Sequence, residues 1–159
     1  MRDLSRRRLG QAGAGLLAVM VVLGLTQGTA MAKMVLFSAV EGRVLHNGKP
    51  VAGAQIERNW RWSWKSENGA DQTTTAADGG FALPAVVRSS WMGSLLPHEP
   101  LVDQIISIQV AGKTYKAWAH FKRNYDTNGE HQGLPLRVTC RLESEPVRRA
   151  EIFGICEFD

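Results

Sequence analysis

The run Asn59-Trp60-Arg61-Trp62-Ser63-Trp64-Lys65 holds the sharpest chemistry in the sequence. On a strand, side chains alternate, so Trp60, Trp62 and Trp64 share one face while Arg61, Ser63 and Lys65 share the other. The outer two indoles then lie about 13 Å apart. Such a stripe suits a protein contact, because Trp and Arg dominate interface hot spots, and it also suits stacking of two or three sugar rings. Core packing competes with both. A sandwich interior is only about 10 Å thick, three indoles in a row crowd it, and each buried N–H needs an acceptor. Trp60, Arg61, Trp62 and Trp64 are therefore the candidate binding residues, with core packing left open.

Two loop pairs, His98-Glu99 and Glu130-His131, have the residue types of an acid/base pair or of half a metal site. A metal needs three or four converging ligands, and nothing in the spacing brings these pairs together. Solvated loop residues are the expectation for both, and His46 and His120 read as structural. Asp126-Thr127-Asn128-Gly129-Glu130 resembles the start of a calcium loop but lacks the spacing to a bidentate Glu, so it reads as a turn. No G-x-S-x-G, H-E-x-x-H, P-loop or G-x-G-x-x-G is present. The expectation is a protein without catalytic residues, cofactor or metal.

These residues sit in a chain of 159 residues with 44% hydrophobic and 21% charged residues and a net charge of +4. One domain is expected at that size. Four of the basic residues (Arg2, Arg6, Arg7, Arg8) fall in residues 1–32, and the remainder carries 15 basic against 14 acidic residues. The basicity belongs to the leader, so a nucleic-acid partner is not expected. Mixed signs near the C-terminus (Arg137, Arg141, Arg148 and Arg149 among Glu143, Glu145, Glu151, Glu157 and Asp159) read as a solvated surface.

The leader itself reads as a signal peptide over 1–32: a cationic start, an apolar stretch over 12–25, and Ala30-Met31-Ala32 as a cleavage pattern before Lys33. Its apolar stretch is shorter than the roughly 20 residues that a membrane span needs, so contact with the membrane is transient. Ser5-Arg6-Arg7-Arg8-Leu9 is similar to the twin-arginine export motif, although the export route stays open, as does a start at Met34. The expected location is the periplasm or beyond the cell. Cys140 and Cys156 fit that destination as a single disulfide, with two buried free thiols as the alternative.

After residue 33 the pattern is short strands and turns, over 40–44, 54–65, 71–76, 81–83, 104–110, 113–121, 136–142 and 152–156. Residues 86–92 read equally as a strand or a short helical turn. Asn47-Gly48, Asp78-Gly79 and Ala111-Gly112 supply the reversals. Residues 124–133 read as a polar loop. This spacing predicts an all-β fold, an antiparallel Ig-like sandwich of about seven strands, as a single domain over 33–159.

Gly42-Arg43-Val44, Gly48-Lys49-Pro50-Val51-Ala52-Gly53-Ala54 and Thr74-Thr75-Ala76-Ala77-Asp78-Gly79-Gly80-Phe81 together resemble the carboxypeptidase-regulatory-like domains. The resemblance covers about residues 40–84 and implies a transthyretin-like (prealbumin-like) β-sandwich that serves as a folding, anchoring or binding module. The second half, with Leu95-Leu96-Pro97-His98-Glu99-Pro100 and Gly154-Ile155-Cys156, resembles a smaller group of bacterial domains and implies no site. Transthyretin-like purine-pathway hydrolases end in Tyr-Arg-Gly-Ser. This chain ends Cys156-Glu157-Phe158-Asp159, so their activity is not implied. The sequence thus predicts an exported binding module that engages a protein, with a toxin-neutralising partner as one concrete form. A carbohydrate-binding module on the Trp stripe is the rival, and a metal-assisted hydrolase around His98, Glu99 and His131 a remote third.

Overall fold

The computed structural model describes residues 31–90 and 97–159. Residues 1–30 of the expected leader (1–32) and the motif residues 91–96 lie outside the described residues, while Ala32, expected as the leader's last residue, opens strand β1. Among those described, the only helical pieces are two single 3₁₀ turns, Ser63–Lys65 and Gly129–His131, and the rest of the regular structure is strand. No helix among them is long and apolar enough to cross a membrane.

Alternating burial builds the strands. In β8 (Val102–Val110) the even positions Val102, Gln104, Ile106 and Ile108 are buried while Asp103, Ile105 and Ser107 point outward. β4 (Gln55–Trp62) repeats this, with Ile56, Arg58 and Trp62 buried. Strand β4 lies between β5 (Glu67–Thr74) and β8, and β8 pairs with β9 (Lys113–Lys122). With the hairpin β11 (Val147–Arg149) and β12 (Ile152–Gly154), these make a six-stranded sheet in the order β11-β12-β9-β8-β4-β5. The second sheet runs β13-β10-β2-β3 with β6 beside β2, from β2 (Val40–His46), β3 (Lys49–Pro50), β6 (Gly80–Leu83), β10 (Leu136–Arg141) and β13 (Cys156–Phe158). A two-stranded pair, β1 (Ala32–Phe37) with β7 (Val86–Ser90), completes the fold and settles residues 86–90 as strand.

Sequence and structure agree on an all-β protein of mostly antiparallel sheets. They differ in detail. Among the described residues, eight strands have five residues or more and five are shorter, where about seven strands were expected. Strands β2 and β10 pair in parallel, from Leu136 opposite Val40 to Arg141 opposite Leu45. The reversals fall at the expected dipeptides. Asn47 and Gly48 (φ 51° and 75°) and Ala111 and Gly112 (φ 49° and 75°) both take the double left-handed turn that matches strand twist in a hairpin.

One core joins the layers. Val40, Val44, Leu136 and Val138 of the five-stranded sheet pack with Ile56, Ile106, Ile108 and Trp118 of the six-stranded sheet. Trp118 meets Phe158 edge-on (5.5 Å, 86°) and Phe37 at 6.3 Å, so β1, β9 and β13 converge on one indole. Cys140 and Cys156, directly opposite on β10 and β13, form a disulfide. By loop-closure entropy, its 16-residue separation is worth about 3 kcal/mol.

Candidate interaction face

The Trp stripe turns inward. Trp62 is 3% exposed, and its Nε1 donates to the Tyr125 hydroxyl at 2.8 Å. Trp60 is half-buried on the same inner face. It lies so close over β5 that a Cβ on Gly69 would sit 2.1 Å from its ring, which is why glycine stands there. Strand β4 ends at Trp62, and the 3₁₀ turn Ser63–Lys65 carries Trp64 out of the strand, yet its ring still meets Trp62 edge-on at 5.3 Å and packs against the core. Trp64 stacks on His98 (4.0 Å, 13°), and Lys65 Nζ lies 4.2 Å from its ring centroid. Only Arg61 of the four candidates is exposed, its side chain 64% accessible on the outer face.

The histidine pairs do not converge. His98 bonds the Tyr125 hydroxyl through Nε2 at 3.0 Å, whereas His131 stacks flat on Phe158 at 3.6 Å. Burial holds the Tyr125 phenol above its ordinary value, partly offset by the Trp62 hydrogen bond. No group of three metal-ligating side chains exists among the described residues. A groove of about 590 Å³ lies beside His131, lined also by Arg149, Glu151, Ile152 and Phe158.

Residues 124–133 do more than solvate a turn. Glu130 goes into the protein, where its carboxylate and the Lys122 ammonium, both fully buried, meet at 2.8 Å. Every lone pair is used. Oε1 accepts from Ser38 N (3.0 Å) and Gln104 Nε2 (2.8 Å), and Oε2 accepts from Ser38 Oγ (2.7 Å) and Lys122 Nζ. Lys122 also donates to Asp126 O at 2.7 Å, and Gln104 to Leu36 O at 2.8 Å. Burial pushes the Lys122 pKa below its usual value, with Glu130 opposing. Burial alone would raise Glu130, but the Lys122 charge and the hydrogen bonds from Lys122, Gln104 and Ser38 outweigh it and hold its carboxyl below 4.5. This clamp ties the β1–β2 turn, β8, β9 and the 3₁₀ turn Gly129–His131 together, and the fully bonded Glu130 carboxylate marks it as structural, although Gln104 Oε1 is buried without a partner among the described residues.

The outer face of the six-stranded sheet is the feature that sequence reasoning missed. Cross-strand register puts Ile105, Ala119 and Phe153 in one row over β8, β9 and β12, with Asn59 and Ala70 continuing it over β4 and β5. Ile105 is 41% and Phe121, in the next row, 54% exposed. Polar groups flank this strip: Arg61 and Asp103 at 3.6 Å on one side, Glu57 and Lys116 on the other. Lys116 Nζ lies 5.3 Å from the Phe153 centroid, and Asn59 donates to Glu57 at 2.9 Å. A shallow concavity of about 250 Å³ opens among Asn59, Arg61, Asn68, Asp103 and Ile105. The outer face of the five-stranded sheet carries Arg137 with Glu41 (3.4 Å), Arg141 with Glu157, and Thr139 with Asp159 (2.6 Å).

Fold and face together define a disulfide-linked, all-β domain of packed sheets with one sheet face partly apolar. By sequence the chain belongs to the family described as a domain of unknown function (DUF6795), whose model matches residues 40–145. That span runs from β2 through β10 and includes Glu57, Arg61, Asp103, Ile105, Lys116, Ala119 and Phe121 of the outer face, while Phe153 and Cys156 lie beyond it. No curated protein and no solved structure matches the chain.

Proposed function

We propose that the protein is an exported, non-catalytic sandwich module of the transthyretin-like kind that works by docking another protein on the outer face of its six-stranded sheet. One observation carries this: Ile105, Ala119, Phe153 and Phe121 stand on the solvent side of the sheet, rimmed by charges of both signs. An apolar centre with a polar rim is the anatomy of a protein interface, and a face built on paired strands is already ordered before binding. Export is supported by the three-part leader, and the Cys140–Cys156 bridge is compatible with an oxidising compartment. Sugar stacking on the tryptophans is less favoured, because His98 and Lys65 already occupy the Trp64 π-surface and Trp62 is buried.

A photo-crosslinking amino acid placed at Ile105, and separately at Arg43 on the other sheet, tests this in the protein's own cells. A protein adduct at 105 but not at 43 is expected. No adduct at 105, or equal adducts at both, would overturn the assignment.

A further inference from the structure

We infer that the protein docked on this face is a second copy of the chain, related by a two-fold axis lying along the Ile105–Ala119–Phe153 row. The inference rests on the docking face proposed above and names its occupant.

Three rows run across the face, and register fixes them. The central one is Asn59, Ile105, Ala119 and Phe153. On one side lie Asn68, Arg61, Asp103 and Phe121, and on the other Gln72, Glu57, Ser107 and Lys116. An isologous contact must be self-complementary, since each residue meets the partner of its own symmetry mate. Rotation about the central row lays each flanking row on the other. Arg61 then faces Glu57 of the second copy, a cation on a carboxylate. Phe121 faces Lys116, a ring beneath an ammonium. Asn68 faces Gln72, two amides able to bond each other. The apolar row meets itself, and Asp103 meets the neutral Ser107.

A two-fold axis running over β8 or over β4 fails the same check, because Asp103 would then face another Asp103, or Arg61 another Arg61, across the seam. One like-charge contact remains in the favoured arrangement. Arg148, opposite Phe153 and exposed at the rim, faces its own copy where solvent screens it. The local pairs do not block exchange: Arg61 and Asp103 are loosely held at 3.6 Å, and among the described residues Glu57 is bonded to the amides of Asn59 and Gln109. The eight-residue register of β4 with β8 spans about 27 Å, and five strand spacings about 24 Å, so the face offers on the order of 600 Å². That approaches the ~800 Å² per partner of an ordinary interface and implies a dimer in the micromolar range or weaker.

Sedimentation equilibrium of the purified protein, with its disulfide intact, tests the pairing. A concentration-dependent monomer–dimer equilibrium is expected, weakened at least about tenfold by Ile105→Glu. Arg61→Glu alone puts a carboxylate opposite Glu57 and weakens association by a similar factor, and Arg61→Glu with Glu57→Arg restores most of it. All three positions point outward, so thermal denaturation confirms that each variant stays folded. A monomer at every concentration, a dimer indifferent to Ile105→Glu, or a double variant no better than the single would overturn the proposal. A crosslink from position 105 to an unrelated protein, with the purified chain monomeric, would remove the second copy and leave the docking face standing.

Discussion

The two outer faces of this molecule are made by the same rule and end in opposite chemistry. Both sheets bury alternate residues in the shared core, so both present the complementary set to solvent. The five-stranded sheet fills its set with ion pairs such as Arg137–Glu41 and Arg141–Glu157. The six-stranded sheet sets Ile105, Ala119, Phe121 and Phe153 there and moves its charges to the rim. Alternation dictates which positions face outward, and only the residue types at those positions decide whether a face stays wet. A strip of exposed apolar side chains contributes little to the core beneath it, and contact with a partner is the role proposed for it above.

The largest expected effect erases the contrast altogether. Lys122→Ala leaves the Glu130 carboxylate buried without its cation, and breaking such a pair costs about 3–5 kcal/mol. Because the clamp joins β1, β8, β9 and the Glu130 loop, urea unfolding should show both sheets lost in one transition at a much lower midpoint. A variant as stable as the parent would mean that the clamp is incidental.

Acid comes next. The folded Glu130 pKa is depressed, so the unfolded chain binds its proton more readily. Its contribution is fully present above about pH 4.5 and is lost as pH falls through the lower folded value. Thermal midpoints should therefore hold near neutrality and fall below about pH 4.5, and Glu130→Gln should flatten that fall while lowering the plateau. Unchanged acid sensitivity in that variant would assign the effect to other carboxylates.

Substitutions on the two faces then separate them. Phe121→Lys should leave stability within about 0.5 kcal/mol, as surface changes do, yet weaken association measurably by light scattering. Arg137→Ala on the opposite sheet should alter neither quantity beyond error, since its pair with Glu41 is two-thirds exposed on both sides and such pairs contribute little.

Much of the fold was legible because turn chemistry is local. Asn47-Gly48 and Ala111-Gly112 need left-handed backbone, and the strands around them follow. The parallel pairing of β2 with β10 was not, since no local signal joins residues nearly a hundred apart. The grouping of the tryptophans was legible and the strand end was not: β4 stops at Trp62 and a 3₁₀ turn with Ser66 left-handed at its end (φ 50°) carries Trp64, whose ring still lies 5.3 Å from that of Trp62. The outer face did leave a trace. Gln104-Ile105-Ile106 and Phe121-Lys122 each put an apolar residue on the outward phase and a polar one on the inward phase. Those two violations of alternation mark the outer apolar strip and the buried clamp, and they become interpretable once Glu130 is seen to partner both Gln104 and Lys122.

Side-chain footprinting with hydroxyl radicals, comparing the protein inside its cells with the same protein purified and dilute, tests the difference between the faces most directly. Phe121 and Ile105 should be protected in the cell and modified when dilute, while Leu45 on the other sheet reacts alike in both. Equal modification of Phe121 and Ile105 in the two settings would contradict the assignment of that face to docking.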